Sequence, residues 1–193
     1  SQALKYLDEY VHMFREDALF IKMHSSYYWA NGDRDEKNRA IEILLNYYAV
    51  KRSLDYDLNS EIVGQLLTFR CIQLLGDWYE LKELKMLEKI PYSEYRKKRD
   101  MQIKECSTVH NEIGIKLLRY VESHKLDNFN SGARQQIITG LYQFIDICIR
   151  IGKLPLAQEV CEYMINYAPQ HFVHQFKIKN DKINWMIFKD KQK

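Results

Sequence analysis

Apolar side chains recur along this chain at intervals of three and four residues, the period of helices that bury one face. Leu4, Leu7, Val11, Phe14, Ala18 and Ile21 hold that spacing from the start. They predict one helix over residues 1–30, whose a/d positions form either a dimer seam or an ordinary intramolecular packing face. Asn31-Gly32-Asp33 breaks this helix. Asp33 is the expected N-cap of a second, running from about Asp35 to Leu54 with Ala40, Leu44 and Tyr48 on one side. Asn59-Ser60 opens a third, with Ile62, Val63, Leu66, Leu67, Phe69 and Leu74 as its apolar positions. Gly76-Asp77 is expected to cap it and restart a shorter helix through Leu87. After Pro91 a long helix is expected to about Lys125, with Ile103, Cys106, Ile113, Leu117 and Val121 on one stripe. Asp127-Asn128-Phe129-Asn130-Ser131-Gly132 reads as a loop, and helices follow over about 133–151, 155–168 and 171–189. No period-two alternation is long enough to matter, and the short connections imply antiparallel helical hairpins.

The segment from Gly140 to Pro169 sharpens this picture. It reads as two helical runs joined by Gly152-Lys153-Leu154-Pro155, with Gly152, Ala157 and Pro169 at the offsets of a tetratricopeptide unit. There a glycine ends the first helix, a small residue lets the second pack close, and a proline stops it. One such unit cannot bury its own apolar face, so stacked neighbours are implied. The expected fold is therefore all-α: antiparallel helical hairpins stacked as a tetratricopeptide-like, right-handed superhelical array. Residues 1–193 form one domain, with 133–189 the clearest repeat unit plus a terminal helix. The earlier hairpins lack the full spacing, so the array is degenerate.

Composition narrows the class. The 193 residues are 46% hydrophobic, ample for one core, and seven Gly with three Pro are too few for an all-β sandwich. Cys71, Cys106, Cys148 and Cys161 are widely spaced within expected helices, so they read as reduced core thiols of a cytoplasmic protein. No apolar run approaches the ~20 residues that span a bilayer, and no signal peptide is visible, so no membrane partner is expected. A net charge of +3 lacks the strong bias of a nucleic-acid-binding surface. The dense run Arg96-Lys97-Lys98-Arg99 reads as a solvated helix start.

Candidate chemistry concentrates on the helix over 137–151, which is apolar almost all round. Its polar exceptions Thr139, Gln143, Asp146 and Arg150 share one face, with Tyr142 beside them. In a tetratricopeptide unit the first helix lines the concave groove. Asp146 and Arg150 have the favoured order for an i,i+4 pair. One reading is a ligand groove, the Arg meeting a carboxylate or carbonyl and the Asp taking N–H groups. The other is a solvated face held by a surface ion pair. Arg70 shares a stripe with Val63, Leu67 and Leu74, so it is a structural salt-bridge partner or, as the weaker alternative, a groove anchor. His110, among Ile103, Cys106, Ile113 and Leu117, is expected to be a satisfied core histidine. His171 and His174 lack companions at zinc spacing, so neither a metal nor a cofactor is expected. Glu80 and Glu83 read as a solvated polar face. Phosphate-binding glycine loops and nucleophile elbows do not occur in the sequence, so binding is expected rather than catalysis.

Gly76-Asp77-Trp78-Tyr79-Glu80-Leu81, followed by Leu84, resembles a feature of the Rgg/GadR/MutR-type transcriptional regulators of Gram-positive bacteria. Those proteins carry a similar Trp with a following Tyr-Glu-Leu near the middle of their C-terminal region, and their ends resemble residues 137–189 here. The resemblance spreads over about residues 35–189. It departs at Lys82-Glu83-Leu84-Lys85, where many members have a Leu-Phe and an Asn, and so points to peptide-responsive repeat regulators at large. It implies a cytosolic quorum-sensing protein whose N-terminal helix-turn-helix reads DNA. The C-terminal repeats would form a homodimer and bind a short signalling peptide. Nothing in 1–193 resembles a helix-turn-helix, so this chain is expected to be the effector and dimerisation domain of a longer protein, reaching DNA only through a segment before Ser1. The ligand-binding residues are then Arg70, Thr139, Tyr142, Gln143, Asp146 and Arg150. The alternative is a tetratricopeptide-like adaptor or scaffold that binds a protein partner and has no DNA-binding half.

Overall fold

The computed structural model describes residues 2–10, 13–14, 16–51 and 57–192, with side chains described for these except 2–4 and 51. Their regular structure is entirely helical: α1 Gln2–Tyr10, α2 Ala18–Asn31, α3 Arg34–Lys51, α4 Asp57–Met86, α5 Tyr92–Val109, α6 Ile115–His124, α7 Ser131–Arg150, α8 Leu154–Tyr167 and α9 Gln170–Asp190. A π-helical turn, His110–Gly114, joins α5 to α6, and a 3-10 turn, Leu126–Asn128, precedes α7. The all-α expectation holds.

The expected single helix over residues 1–30 is instead two. Asp17 caps α2, its carboxylate accepting from the Phe20 N–H at 2.8 Å, and this cap interrupts the apolar period. Phe14 is exposed while Ile21 is buried, so the a/d positions do not form one seam; Val11 and the Leu4 side chain lie outside the described residues. Asp33 starts α3 as expected. Its Oδ1 accepts from the N–H groups of Asp35 at 2.9 Å and Glu36 at 3.0 Å, while Glu36 accepts from the Asp33 N–H at 3.0 Å. This is a reciprocal capping box. The expected end of that helix, Leu54, falls outside the described residues.

The expected break at Gly76 does not occur, and α4 continues to Met86. A helical glycine costs only about 1 kcal/mol relative to alanine. Leu74 and Leu81 are buried on either side of it, and Arg34 binds Asp77 at 2.6 Å and Glu80 at 3.0 Å. Tertiary packing therefore overrides the local breaker. The stop comes at Glu88, a non-glycine at φ 53, where the Lys89 N–H donates to the Leu84 carbonyl at 2.9 Å. The same closure ends α7, there through Gly152 at φ 75 with Lys153 donating to Cys148 at 2.8 Å. Pro91 then precedes α5 and Pro169 precedes α9, while Ala157 is wholly buried in α8.

The expected helix from Pro91 to Lys125 forms with the π turn inside it. Val109, Ile113, Leu117 and Val121 are all buried at strict four-residue intervals. That period exceeds the 3.6 of an α-helix, and an i→i+5 turn absorbs the excess. Asn130 caps α7, accepting from the Ala133 N–H at 2.9 Å, so α7 starts inside the segment read as a loop.

Consecutive helices pack as neighbours from α2 to α5 and from α7 to α9, and α4 against α7 forms the central pair. Gly64 and Gly140 sit where these two backbones meet. A Cβ at Gly140 would lie 2.6 Å from the Gly64 carbonyl oxygen, and one at Gly64 would lie 2.7 Å from the Gln136 carbonyl carbon. Leu66, Leu67, Ile137, Leu141 and Phe144 fill the core around that crossing. Among the described residues no helix is long and apolar enough to cross a membrane.

Candidate functional site

The polar stripe of α7 is present, but its members turn to different neighbours. Asp146 does not pair with Arg150. Its Oδ2 accepts instead from Lys179 of α9 at 2.8 Å, and the same ammonium donates to the Tyr142 carbonyl at 2.7 Å. It also sits 3.6 Å from the centroid of the Tyr142 ring, which packs perpendicular to Phe176. The Lys179 side chain is only 11% exposed, so burial lowers its pKa while Asp146 acts in the opposite direction. Arg150 reaches the other way, lying 5.1 Å from the Trp78 ring and 5.3 Å from the Tyr79 ring of α4. An aromatic face and a buried ammonium thus outcompete the local i,i+4 pair, which is worth only a few tenths of a kcal/mol. Thr139 donates back to the Gln135 carbonyl at 2.9 Å, and Gln143 is half-buried between the two ends.

Arg70 is placed elsewhere, on the lining of a cleft. This cleft, of about 900 Å³, lies between α3 and the α5–π–α6 helix, with Arg70 contributed by α4. Leu45 and Ala49 line one side, Val109 and Ile113 the other, and Asn46, Thr108, Glu112 and Lys116 add polar groups. The Tyr48 hydroxyl, also on the lining, donates to the Glu112 carbonyl at 3.0 Å and ties α3 to the π turn. Burial raises the Tyr48 pKa, so the hydroxyl remains a donor at neutral pH.

Arg70 is half-buried rather than sealed in the core, and its Nη1 donates to Gln73 Oε1 at 2.6 Å. Gln73 in turn binds Asn38. Among the described residues no carboxylate forms an ion pair with Arg70, so the favoured structural salt bridge is not what holds it. Its direct hydrogen-bond partner is a neutral amide, while Asp77 and the cleft carboxylate Glu112 act on its charge only from a distance. An apolar cleft of this size with a few convergent polar groups and one such guanidinium suits a small anionic or peptidic ligand.

His110 meets its expectation in part. It is buried, its ring centroid is 5.7 Å from that of Phe144, and its Nδ1 lies 2.8 Å from Asn111 Oδ1. Its Nε2 is buried without a hydrogen-bond partner. His171 and His174 are both exposed on α9. In the basic run, Lys98 pairs with Glu94 at 2.8 Å and Arg99 with Asp100 at 2.9 Å, on an outward helix start.

Lys179 was open to detection from the sequence: it interrupts the apolar run Val173, Phe176 and Ile183 just as Arg70 interrupts its own. The cleft was not, because its walls come from helices far apart in the chain. The chain matches no protein-family model, and no curated protein or solved structure is detectably similar to it.

Proposed function

We propose that this chain is the ligand-sensing and dimerisation module of a transcriptional regulator, and that it takes a short signalling peptide into the cleft between α3 and the α5–π–α6 helix. The observation that carries the reading is the Arg70 guanidinium on the lining of the 900 Å³ cleft, bonded to an amide and without an ion pair among the described residues. It would receive a carboxylate of the peptide, while Asn46 and Thr108 hydrogen-bond its backbone and the apolar walls take its side chains. The Trp78-Tyr79-Glu80-Leu81 resemblance supports a peptide-responsive regulator, with DNA reached through a helix-turn-helix preceding Ser1. Reading the gene upstream of Ser1 tests that part. A bound peptide shifts the array only by preferring one arrangement of α3 against α5, which the Tyr48–Glu112 bond now links. Exposed Tyr6, Tyr10, Met13, Phe14, Leu19 and Met23 support a dimer surface on α1 and α2. Sedimentation equilibrium of a Met13→Asp, Met23→Asp double variant tests it.

Tyr142, Asp146 and Arg150 are secondary contacts in this proposal, since Lys179, Trp78 and Tyr79 already engage them. The test is selection of short peptides from a random pool with free C-termini and from an amidated pool, detected by mass spectrometry. Arg70→Ala is expected to weaken binding about ten-fold or more, the worth of one charged hydrogen bond. Unchanged binding by that variant, or equal selection from the amidated pool, removes Arg70 as the anchor. A second reading is a protein-binding adaptor. Ile178, Trp185 and Phe188, exposed along the outer side of α9, favour it.

A further inference from the structure

The positive charge of this protein is unevenly placed. Between Lys82 and Lys104 the chain holds eight basic against four acidic side chains, a larger excess than the +3 of the whole chain. This segment is the end of α4, the turn, and most of α5. At its apex, where α4 stops and α5 starts, Met86 is 68% exposed, Leu87 53% and Tyr92 66%. Every residue from Lys85 to Lys89 is exposed. These large apolar side chains at the tip of the hairpin leave more than half of their surface in solvent, more than packing within the fold accounts for.

We propose that the tip of the α4–α5 hairpin docks on an anionic lipid surface. Met86, Leu87 and Tyr92 enter the headgroup boundary, and Lys85, Lys89 and Arg96 meet the lipid phosphates. The spacing supports this arrangement. Arg96 follows Tyr92 by four residues, about 6 Å along the axis, comparable with the ~5–10 Å to which an interfacial apolar face sinks. The Lys85 ammonium lies 4.7 Å from the Tyr95 ring centroid and 5.7 Å from that of Tyr92, so cation and aromatic already share one site at the boundary. Lys98 and Arg99 are occupied by Glu94 and Asp100, whereas Lys89 and Arg96 have no acidic partner among the described residues. A nucleic acid would use the cations but gain nothing from Met86 and Leu87; a lipid surface uses both.

The test is co-sedimentation of the full chain with phosphatidylcholine vesicles and with vesicles that also contain phosphatidylserine. Pelleting is expected only with the anionic vesicles and should weaken as salt is raised. Lys89→Ala should lower partitioning about five-fold, the worth of one basic residue near an anionic surface. Leu87→Glu and, independently, Tyr92→Ser should abolish or strongly reduce pelleting while thermal unfolding stays unchanged, both side chains being exposed. Failure to pellet with either vesicle overturns the proposal. So does pelleting that survives Leu87→Glu and Tyr92→Ser, or tighter binding of a single-stranded oligonucleotide that Leu87→Glu leaves intact.

Discussion

Alanine placed at two glycines of α4 should move stability in opposite directions. At Gly64 the new Cβ would sit 2.7 Å from the Gln136 carbonyl carbon and 2.8 Å from both its oxygen and the Ile137 nitrogen, against an ordinary contact of 3.4–4 Å. All three atoms belong to the α7 backbone, so no side-chain tip can swing aside. Relief requires α4 and α7 to part by roughly 0.5–1 Å, which forfeits a quarter to a half of each dispersion contact along the seam. Overpacking of this kind costs about 1–3 kcal/mol, occasionally more. Replacing a helical glycine returns about 1 kcal/mol. A backbone clash places Gly64→Ala at the upper end, so a net loss of about 2 kcal/mol is expected, or about 4–8 °C in melting temperature for a chain of this size. Gly76, on the same helix, has nothing within 4 Å of its would-be Cβ. Gly76→Ala should therefore gain about 0.5–1 kcal/mol from propensity alone. Urea unfolding of both variants beside the parent measures the contrast. If Gly64→Ala proves as stable as Gly76→Ala, the backbones do not meet at Gly64 and the central pairing is wrong.

Three further outcomes follow from groups the fold has buried. Asp146→Ala strands the Lys179 ammonium with the Tyr142 carbonyl and ring as its remaining polar neighbours, so stability should fall by about 2 kcal/mol in urea titration; no change would mean that water reaches the ammonium freely. Burial holds His24 below its ordinary 6.5, although Asp8 opposes the shift. The unfolded chain then binds a proton near that value which the folded chain refuses, so the contribution is intact above 6.5 and lost as pH falls below it. His24→Phe should shrink the loss of melting temperature on acidification below 6.5, and an undiminished loss would assign it to other groups. The thiols of Cys71, Cys106, Cys148 and Cys161 are all buried and all raised by that burial, Cys106 to about 11 and Cys161 to about 12. Ellman's reagent should label none of them in the native protein and all four in denaturant; rapid labelling in the native state would contradict the placement of these cysteines.

Local signals carried the helices and failed where distant packing decided. Gly152 and Asp33 act within their own turns, so their roles were legible. At Gly76 the same kind of signal misled, because Leu74, Leu81 and the Arg34 network hold α4 together across it. The break before α2 was legible in principle, since Asp17 precedes Ala18 as a cap, but the apolar spacing across it masked it. For the candidate site, sharing a helical face identified which residues of α7 lie together but not what they meet. Asp146 and Arg150 are one turn apart, yet the partners they meet, Lys179 and Trp78, belong to α9 and α4, far apart in the chain. Arg70 was recognised as a polar intruder; that its hydrogen-bond partner is an amide rather than a carboxylate depends on Gln73 and Asn38.

The π turn at His110–Gly114 bears on how this chain tolerates changes of length. A π turn holds one residue more than an α turn closed over the same span, and α5 and α6 on either side of it still bury Cys106 and Leu117. One residue removed between His110 and Gly114 should relax the turn to ordinary α-helix and leave both buried faces in place. The same deletion inside α7, between Ile137 and Cys148, would rotate everything beyond it by about 100° and swing Phe144 and Ile147 away from the core. A one-residue deletion is therefore absorbed at the π turn, in the wall of the Arg70 cleft, where it reshapes the lining while the central helix pair stands.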